Sequence, residues 1–150
     1  MAIRQLRYDE DEILHKRCRE VEQVDDRIRA ILNDMADTLH HTENGAGLAA
    51  CQVGLLKRLV VIDMGKGLIK LVNPKIIKVS GQQTCVEGCL SFPHRWGKVL
   101  RPYSVTVQAL DENGREVQLK GSGDLAKCFC HEIDHLDGIT LPDRVFEWLS

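Results

Sequence analysis

The sequence predicts an α+β fold: one compact domain over residues 1–150, with antiparallel sheets packed around a helix that carries candidate metal ligands. Three observations predict it. Ile28, Ile31, Leu32, Met35 and Leu39 recur at three- and four-residue spacing, the period of a helix with one buried face. Leu125, Phe129, Ile133 and Leu136 repeat that spacing near the other end of the chain. Between them lie short apolar runs bounded by turn residues, the pattern of strands. Helix, several antiparallel strands, then helix is an α+β order.

Taken in chain order, the first helix covers Asp25 to His41. A run of small residues follows, Gly45-Ala46-Gly47-Leu48-Ala49-Ala50-Cys51-Gln52, where backbone can pass close to a ligand or turn tightly into a buried strand. Strands are predicted over Arg58 to Met64 and Leu68 to Val72, with Pro74 as an interruption before a further strand at Ile76 to Val79. Ser104 to Leu110 alternates, and Asp111-Glu112-Asn113-Gly114 makes a hairpin turn into Glu116 to Lys120. The second helix begins with Ser122 or Asp124 as its cap and stops at Gly138. Pro142 to Leu149 is expected to form a short terminal turn of helix. There is no internal repeat, low-complexity segment or linker.

Composition narrows the function classes. A chain of 150 residues can bury roughly 70% of its unfolded surface, so it does not depend on a metal staple to fold. Its 20 basic and 22 acidic residues leave a net charge of −2, and no basic stripe interleaves with aromatics, which argues against nucleic-acid binding. The cluster Lys16-Arg17-Cys18-Arg19 is interrupted by Glu20 and reads as solvated. No apolar run approaches membrane-spanning length. Met1 to Glu12 is polar and increasingly acidic, unlike a signal peptide, so a cytoplasmic, reducing compartment is expected for the six cysteines. Cys18, Cys51, Cys85, Cys128 and Cys130 are then expected as buried small hydrophobes.

The second helix carries the chemistry, in His131-Glu132-Ile133-Asp134-His135. Histidines four apart lie about 40° apart around a helix axis, so both imidazoles can point at one ion. Glu132 sits on an adjacent flank and can reach a water beside that ion, the arrangement hydrolytic metal enzymes use. Catalytic zinc or iron sites usually take three protein ligands, and Cys89, in Glu87-Gly88-Cys89-Leu90-Ser91, is the strongest candidate for the third. Cys85 with Cys89 and His131 with His135 also have the spacing of a closed structural zinc site, in a binding module rather than an enzyme. The roughly forty residues between the pairs exceed the usual small-finger loop. A metallopeptidase sharing the helical motif is a further alternative, weakened by the lack of a distinct downstream ligand. Gln52 adds an amide that can donate to an oxyanion.

Together, Gly45 to Gln52, Glu87 to Ser91 and His131 to His135 resemble, in order and approximate spacing, the three motifs of the peptide deformylases. The resemblance implies that Cys89, His131 and His135 hold one divalent ion, Fe2+ in the cell with Zn2+, Ni2+ or Co2+ as substitutes. It implies Glu132 as general acid and base, with Gln52 and the Leu90 backbone N–H polarising the carbonyl under attack. Gly45, Gly47, Glu87 and Gly88 are expected beside the substrate, an N-formyl-methionyl nascent peptide that loses formate. Three departures from the family pattern stand out: Cys130 replaces a common Gln, Asp11-Glu12 lacks the usual Asp-Pro, and Asp124 and Lys127 stand where apolar residues are common. Asp124 and Lys127 are read as a solvated helix face, with a place in the side-chain pocket as the alternative. The chain ends at Ser150, leaving little room for the basic C-terminal helix some members use at the ribosome, so stable ribosome docking is not expected.

Overall fold

Asp25 starts the first helix as the periodicity predicts: its Oδ1 accepts from the Ile28 N–H at 3.0 Å, capping α1 (Asp26–His41). In the computed structural model, which describes residues 2–43 and 45–150, eight strands follow: β1 (Gly47–Ala49), β2 (Leu59–Asp63), β3 (Leu68–Ser80), β4 (Gln83–Cys89), β5 (Phe92–Arg101), β6 (Ser104–Leu110), β7 (Glu116–Ser122) and β8 (Val145–Trp148). The helices α2 (Asp124–Leu136) and α3 (Leu141–Arg144) lie between β7 and β8. The strands form two antiparallel sheets, one ordered β1-β2-β3-β6-β7 and the other β4-β5-β8.

The larger sheet is sandwiched between the two long helices. Val60 and Ile62 of β2 pack with Phe129, Ile133 and Leu136 of α2, while Leu59 and Val61 pack with Leu32, Met35 and Leu39 of α1. Burial on both faces is why β2 reads as an unbroken apolar run, Leu-Val-Val-Ile. Leu14, Phe92, Val99 and Leu141 form a smaller core against the second sheet. Leu32 is fully buried in the core between α1 and β2, so Leu32→Ala is expected to cost about 2–5 kcal/mol in chemical denaturation. A loss below 1 kcal/mol would contradict the placement of this core.

Several expectations need correction. Pro74 does not end a strand: β3 continues to Ser80 through a bulge between Val72 and Lys75, where the missing N–H interrupts no ladder bond. Asn73 holds the bulge at φ 51°, accepting from the Val21 N–H and donating to the Val21 carbonyl, both at 2.8 Å. Neither Ser122 nor Asp124 caps α2. Ser122 ends β7, and the cap is Gly123 at φ 60°, ψ −125°, a conformation that favours glycine. The C-terminal segment holds the expected short turn of helix in α3, but from Val145 it continues as β8, which pairs with β5. Strands β4 and β5, absent from the expected elements, complete the second sheet.

The end of α2 is clamped. Arg58, buried just before β2, donates to the Leu136 carbonyl and to Asp137 Oδ1, each at 2.9 Å. Gly138 then turns the chain at φ 75°, the stop its position predicts. This fixes the helix that carries both histidines.

Candidate metal centre

Two edge strands and one helix converge on a cleft of about 460 Å³. The helix α2 presents Lys127, Cys128, His131 and Glu132 along one stripe, as three- and four-residue spacing requires. The end of β4 and the turn after it contribute Gly88, Cys89 and Leu90, and the segment around β1 contributes Gly45, Gly47 and Gln52. Residues far apart in sequence are thereby brought to one place.

Cys89 Sγ and the ring nitrogens of His131 and His135 lie within 4.8 Å of one another. Cys89 Sγ is 3.3 Å from His135 Nε2. Bonds of about 2.3 Å to sulfur and 2.0–2.1 Å to nitrogen around one tetrahedral ion place those two atoms roughly 3.5 Å apart. The Cys89–His135 spacing therefore fits a divalent metal, and the third donor stands within 4.8 Å of both. Cys85 does not join the trio and, like Cys18, Cys51, Cys128 and Cys130, is a buried free thiol. A closed Cys2His2 arrangement is not formed.

The electrostatics favour a cation. Burial works against charge on His131, yet the Cys89 thiol, Glu132 and Glu87 outweigh it and raise its pKa well above the ordinary value. Burial and the neighbouring His131 hold His135 well below its ordinary value, so its imidazole stays neutral and able to ligate. Among the described residues, the buried side-chain polar atoms without a hydrogen-bond partner include His135 Nδ1 and Glu132 Oε1. Burial pushes the Glu132 carboxyl up to about 7, with the His131 charge pulling the other way. A buried carboxylate oxygen with no partner is poised for a ligand or water proton.

The histidines are held from behind. His131 Nδ1 lies 2.8 Å from Glu87 Oε1, which fixes the proton there and leaves Nε2 for an ion. Arg101 grips both Glu87 oxygens, at 2.8 and 2.9 Å, and reaches Asp134 Oδ2 at 2.6 Å. Burial alone would raise the Glu87 carboxyl, but Arg101 and His131 hold it at about 2. Glu87, expected beside the substrate, thus lies in the cleft wall with its carboxylate committed to these two partners. Gln52 Oε1 accepts from the Ala49 N–H at 2.9 Å, while Nε2 donates to Ser91 Oγ at 3.1 Å and faces Cys89 Sγ at 3.7 Å. The amide donor is therefore aimed at the thiol side of the trio.

Asp124 and Lys127, read as a solvated face, both line the cleft. Lys127 Nζ is 3.8 Å from Asp124 Oδ1, a long pair at the rim. The helix turns its charged first two turns along the cleft because its opposite face is taken by the sheet. Arg101, which grips Glu87, lies outside every motif in the sequence, whereas Ser91, which accepts from Gln52, ends the second motif without a role assigned to it there.

The sequence model of the polypeptide deformylase family matches residues 3–148. The chain belongs to that family. Peptide deformylase 2 of Clostridium acetobutylicum is 63% identical over 150 residues, covering the whole of both chains. Peptide deformylase of Caldicellulosiruptor bescii is 53% identical, covering 100% of this chain and 90% of that one. The crystal structure of peptide deformylase from Thermotoga maritima superposes with a TM-score of 0.93 at 33% identity, covering 97% of this chain and 99% of the other. Peptide deformylases are metal-dependent hydrolases that remove the formyl group from nascent peptides, and the Cys-His-His trio is where this chain can hold the metal. Among the described residues, no helix is long and apolar enough to cross a membrane.

Proposed function

We propose that this chain removes the N-formyl group from the initiator methionine of nascent polypeptides in the cytoplasm, with Cys89, His131 and His135 as ligands to ferrous iron. The observation that carries the assignment is the convergence of those three donors beside a buried, unpartnered Glu132 oxygen. A thiolate and two imidazoles also suit zinc, nickel and cobalt. A bound divalent ion supplies a Lewis acid that acidifies water and polarises a carbonyl. The net charge of −2, without a basic face in the sequence, supports a peptide rather than a nucleic acid as the occupant of the cleft.

The chain's own residues divide the rest. β1 and β4 are edge strands of their sheets, so an extended peptide can lie between them, using backbone groups. Gly45, Gly47 and Gly88 pack so closely against Thr42, Glu132 and Trp96 that no side chain fits at these positions without displacing them. A formamide carbon bears only hydrogen on one side, which suits the narrow space beside Cys89. Glu132 takes the proton of the attacking water as oxygen adds to the formyl carbon. Gln52 Nε2 and the Leu90 N–H donate to the carbonyl oxygen as it gains charge, each worth on the order of 3 kcal/mol in comparable sites. Glu132 returns its proton to the departing nitrogen; the C–N bond breaks, releasing formate and a free amino terminus.

Gly47 is tied to Glu132 sterically. A Cβ there would lie 2.8 Å from Glu132 Cγ and Oε2 and 3.0 Å from Cys128 Sγ. Gly47→Ala is expected to displace the carboxylate and lower kcat by about 10- to 100-fold while metal content is retained. Steady-state kinetics with metal analysis checks this, and an unchanged kcat would contradict it.

The reading is tested by offering formyl-Met-Ala-Ser alongside an unformylated peptide. Formate release from the first with the second intact supports it. Internal cleavage of the unformylated peptide, with the formyl group untouched, would support a peptidase instead.

A further inference from the structure

The segment ahead of the first helical turn takes no part in the chemistry above, yet it grips the site from behind. Residues 4–11 run as a strap from α1 to the single turn at Glu12–His15. At one end the Arg4 N–H donates to Thr38 Oγ1 at 2.9 Å, and its guanidinium pairs with Asp34, both on α1. At the other, Leu14 is fully buried in the smaller core with Phe92, the neighbour of Ser91. Asp11, at the departure from the usual Asp-Pro, caps that turn: its Oδ1 accepts from the Ile13 N–H at 3.1 Å.

Between these anchors, two backbone donors reach Gln52 and its partner Ser91. The Arg7 N–H donates to the Gln52 carbonyl at 2.7 Å, and the Asp9 N–H to the Ser91 carbonyl at 2.9 Å. Ser91 Oγ in turn accepts from Gln52 Nε2. Gln52 and Ser91 are 1% and 0% exposed, so the strap supplies partners that water does not. Donors two residues apart on one chain reach at most about 7 Å, which limits how far Gln52 and Ser91 can separate. The grip is held against strain: Asp9 sits at φ 39°, a region non-glycine residues seldom occupy unless surrounding contacts enforce it. Arg7 adds its side chain, with Nη1 on Asp11 Oδ2 at 3.0 Å. A Cβ at Gly54, two residues after Gln52, would lie 2.8 Å from Arg7 Nη2.

Resting on the deformylase reading, we propose that Arg7 and Asp9 are positioning residues. Their N–H groups tie the backbones of Gln52 and Ser91 together and keep Gln52 Nε2 aimed at the carbonyl oxygen that gains charge. A donor stabilises that charge most when its direction is set before the reaction, and a small misplacement is costly. Gln52 and Ser91 belong to separate motifs, and the strap is a third segment that spans both.

The test measures kcat, KM and metal content of the metal-loaded full chain with formyl-Met-Ala-Ser. Arg7→Pro removes the N–H that reaches Gln52 and should lower kcat by about 5- to 30-fold, with KM within about twofold and metal retained. Arg7→Ala, which keeps the N–H, should recover most of that loss. Asp9→Val, whose β-branched side chain resists φ 39°, should lower kcat in the same way. The deciding readout is a double-mutant cycle with Gln52→Ala. In that background Arg7→Pro should lower kcat by less than about twofold, because its effect passes through Gln52. Should Arg7→Pro fail to fold, Asp9→Val carries the same cycle. An equal fold-loss with and without Gln52, or wild-type kcat in both Arg7→Pro and Asp9→Val, would overturn the inference and leave the deformylase reading intact. A metal-loaded wild type that releases no formate would overturn that reading and the inference with it.

Discussion

Glu132→Ala is expected to keep its metal and lose turnover by about 10²–10⁴-fold, the range for removing a positioned acid–base group. Glu132 is buried, its Oε1 has no hydrogen-bond partner, and burial pushes its carboxyl up to about 7. Each of these would be a cost without return in a purely structural carboxylate. A cation on the donor trio favours the ionised form, leaving a base ready near neutral pH. The proposed ligands do not include Glu132, so one equivalent of metal should remain. Glu132→Gln, which keeps the shape and removes the base, should fall as far as alanine. Normal kcat in either variant would remove Glu132 from the chemistry.

Arg101→Leu is expected to destabilise the protein by roughly 3–5 kcal/mol, because it strands buried carboxylates. The side chains of Arg101 and Glu87 are 4% and 2% exposed, and the guanidinium also binds Asp134. Losing it leaves Glu87 with His131 alone. The imidazole orientation set by Glu87 loosens too, so metal affinity should fall by about 10- to 100-fold. Urea denaturation and metal titration measure the two effects separately. Glu87 is held at about 2 against an ordinary 4.5, so its contribution is complete above 4.5 and fades as pH falls toward 2. The deficit of Arg101→Leu should narrow over the same window. Replacing Glu87 by Leu as well should recover part of the loss, since paired apolar groups replace an ion pair at little cost. A single variant as stable as the wild type would show that the network does not hold the site.

What could be read in advance follows from locality. Histidines four apart on an amphipathic helix carry their geometry in their spacing, and the Gly138 stop is equally local. Cys89 needed chemistry rather than pattern, because nothing in the β4 segment announces a strand. The inner positions of β4 and β5 include Glu87 and Arg101, both buried and charged. They satisfy each other across the hairpin, so the alternation that signals a strand shows charge where apolar residues are expected. The Pro74 bulge was hidden for a related reason: Asn73 borrows partners from Val21, 52 residues away. Asp124 and Lys127 have the composition of a solvated face, and only the placement of α2 against the sheet turns that face along the cleft.

The central claim is tested most directly by formate release from formyl-Met-Ala-Ser, using anaerobically prepared, iron-loaded protein and the same protein stripped of metal. Release that requires the metal and returns on reloading is the predicted result. A fully iron-loaded protein that releases no formate would contradict it.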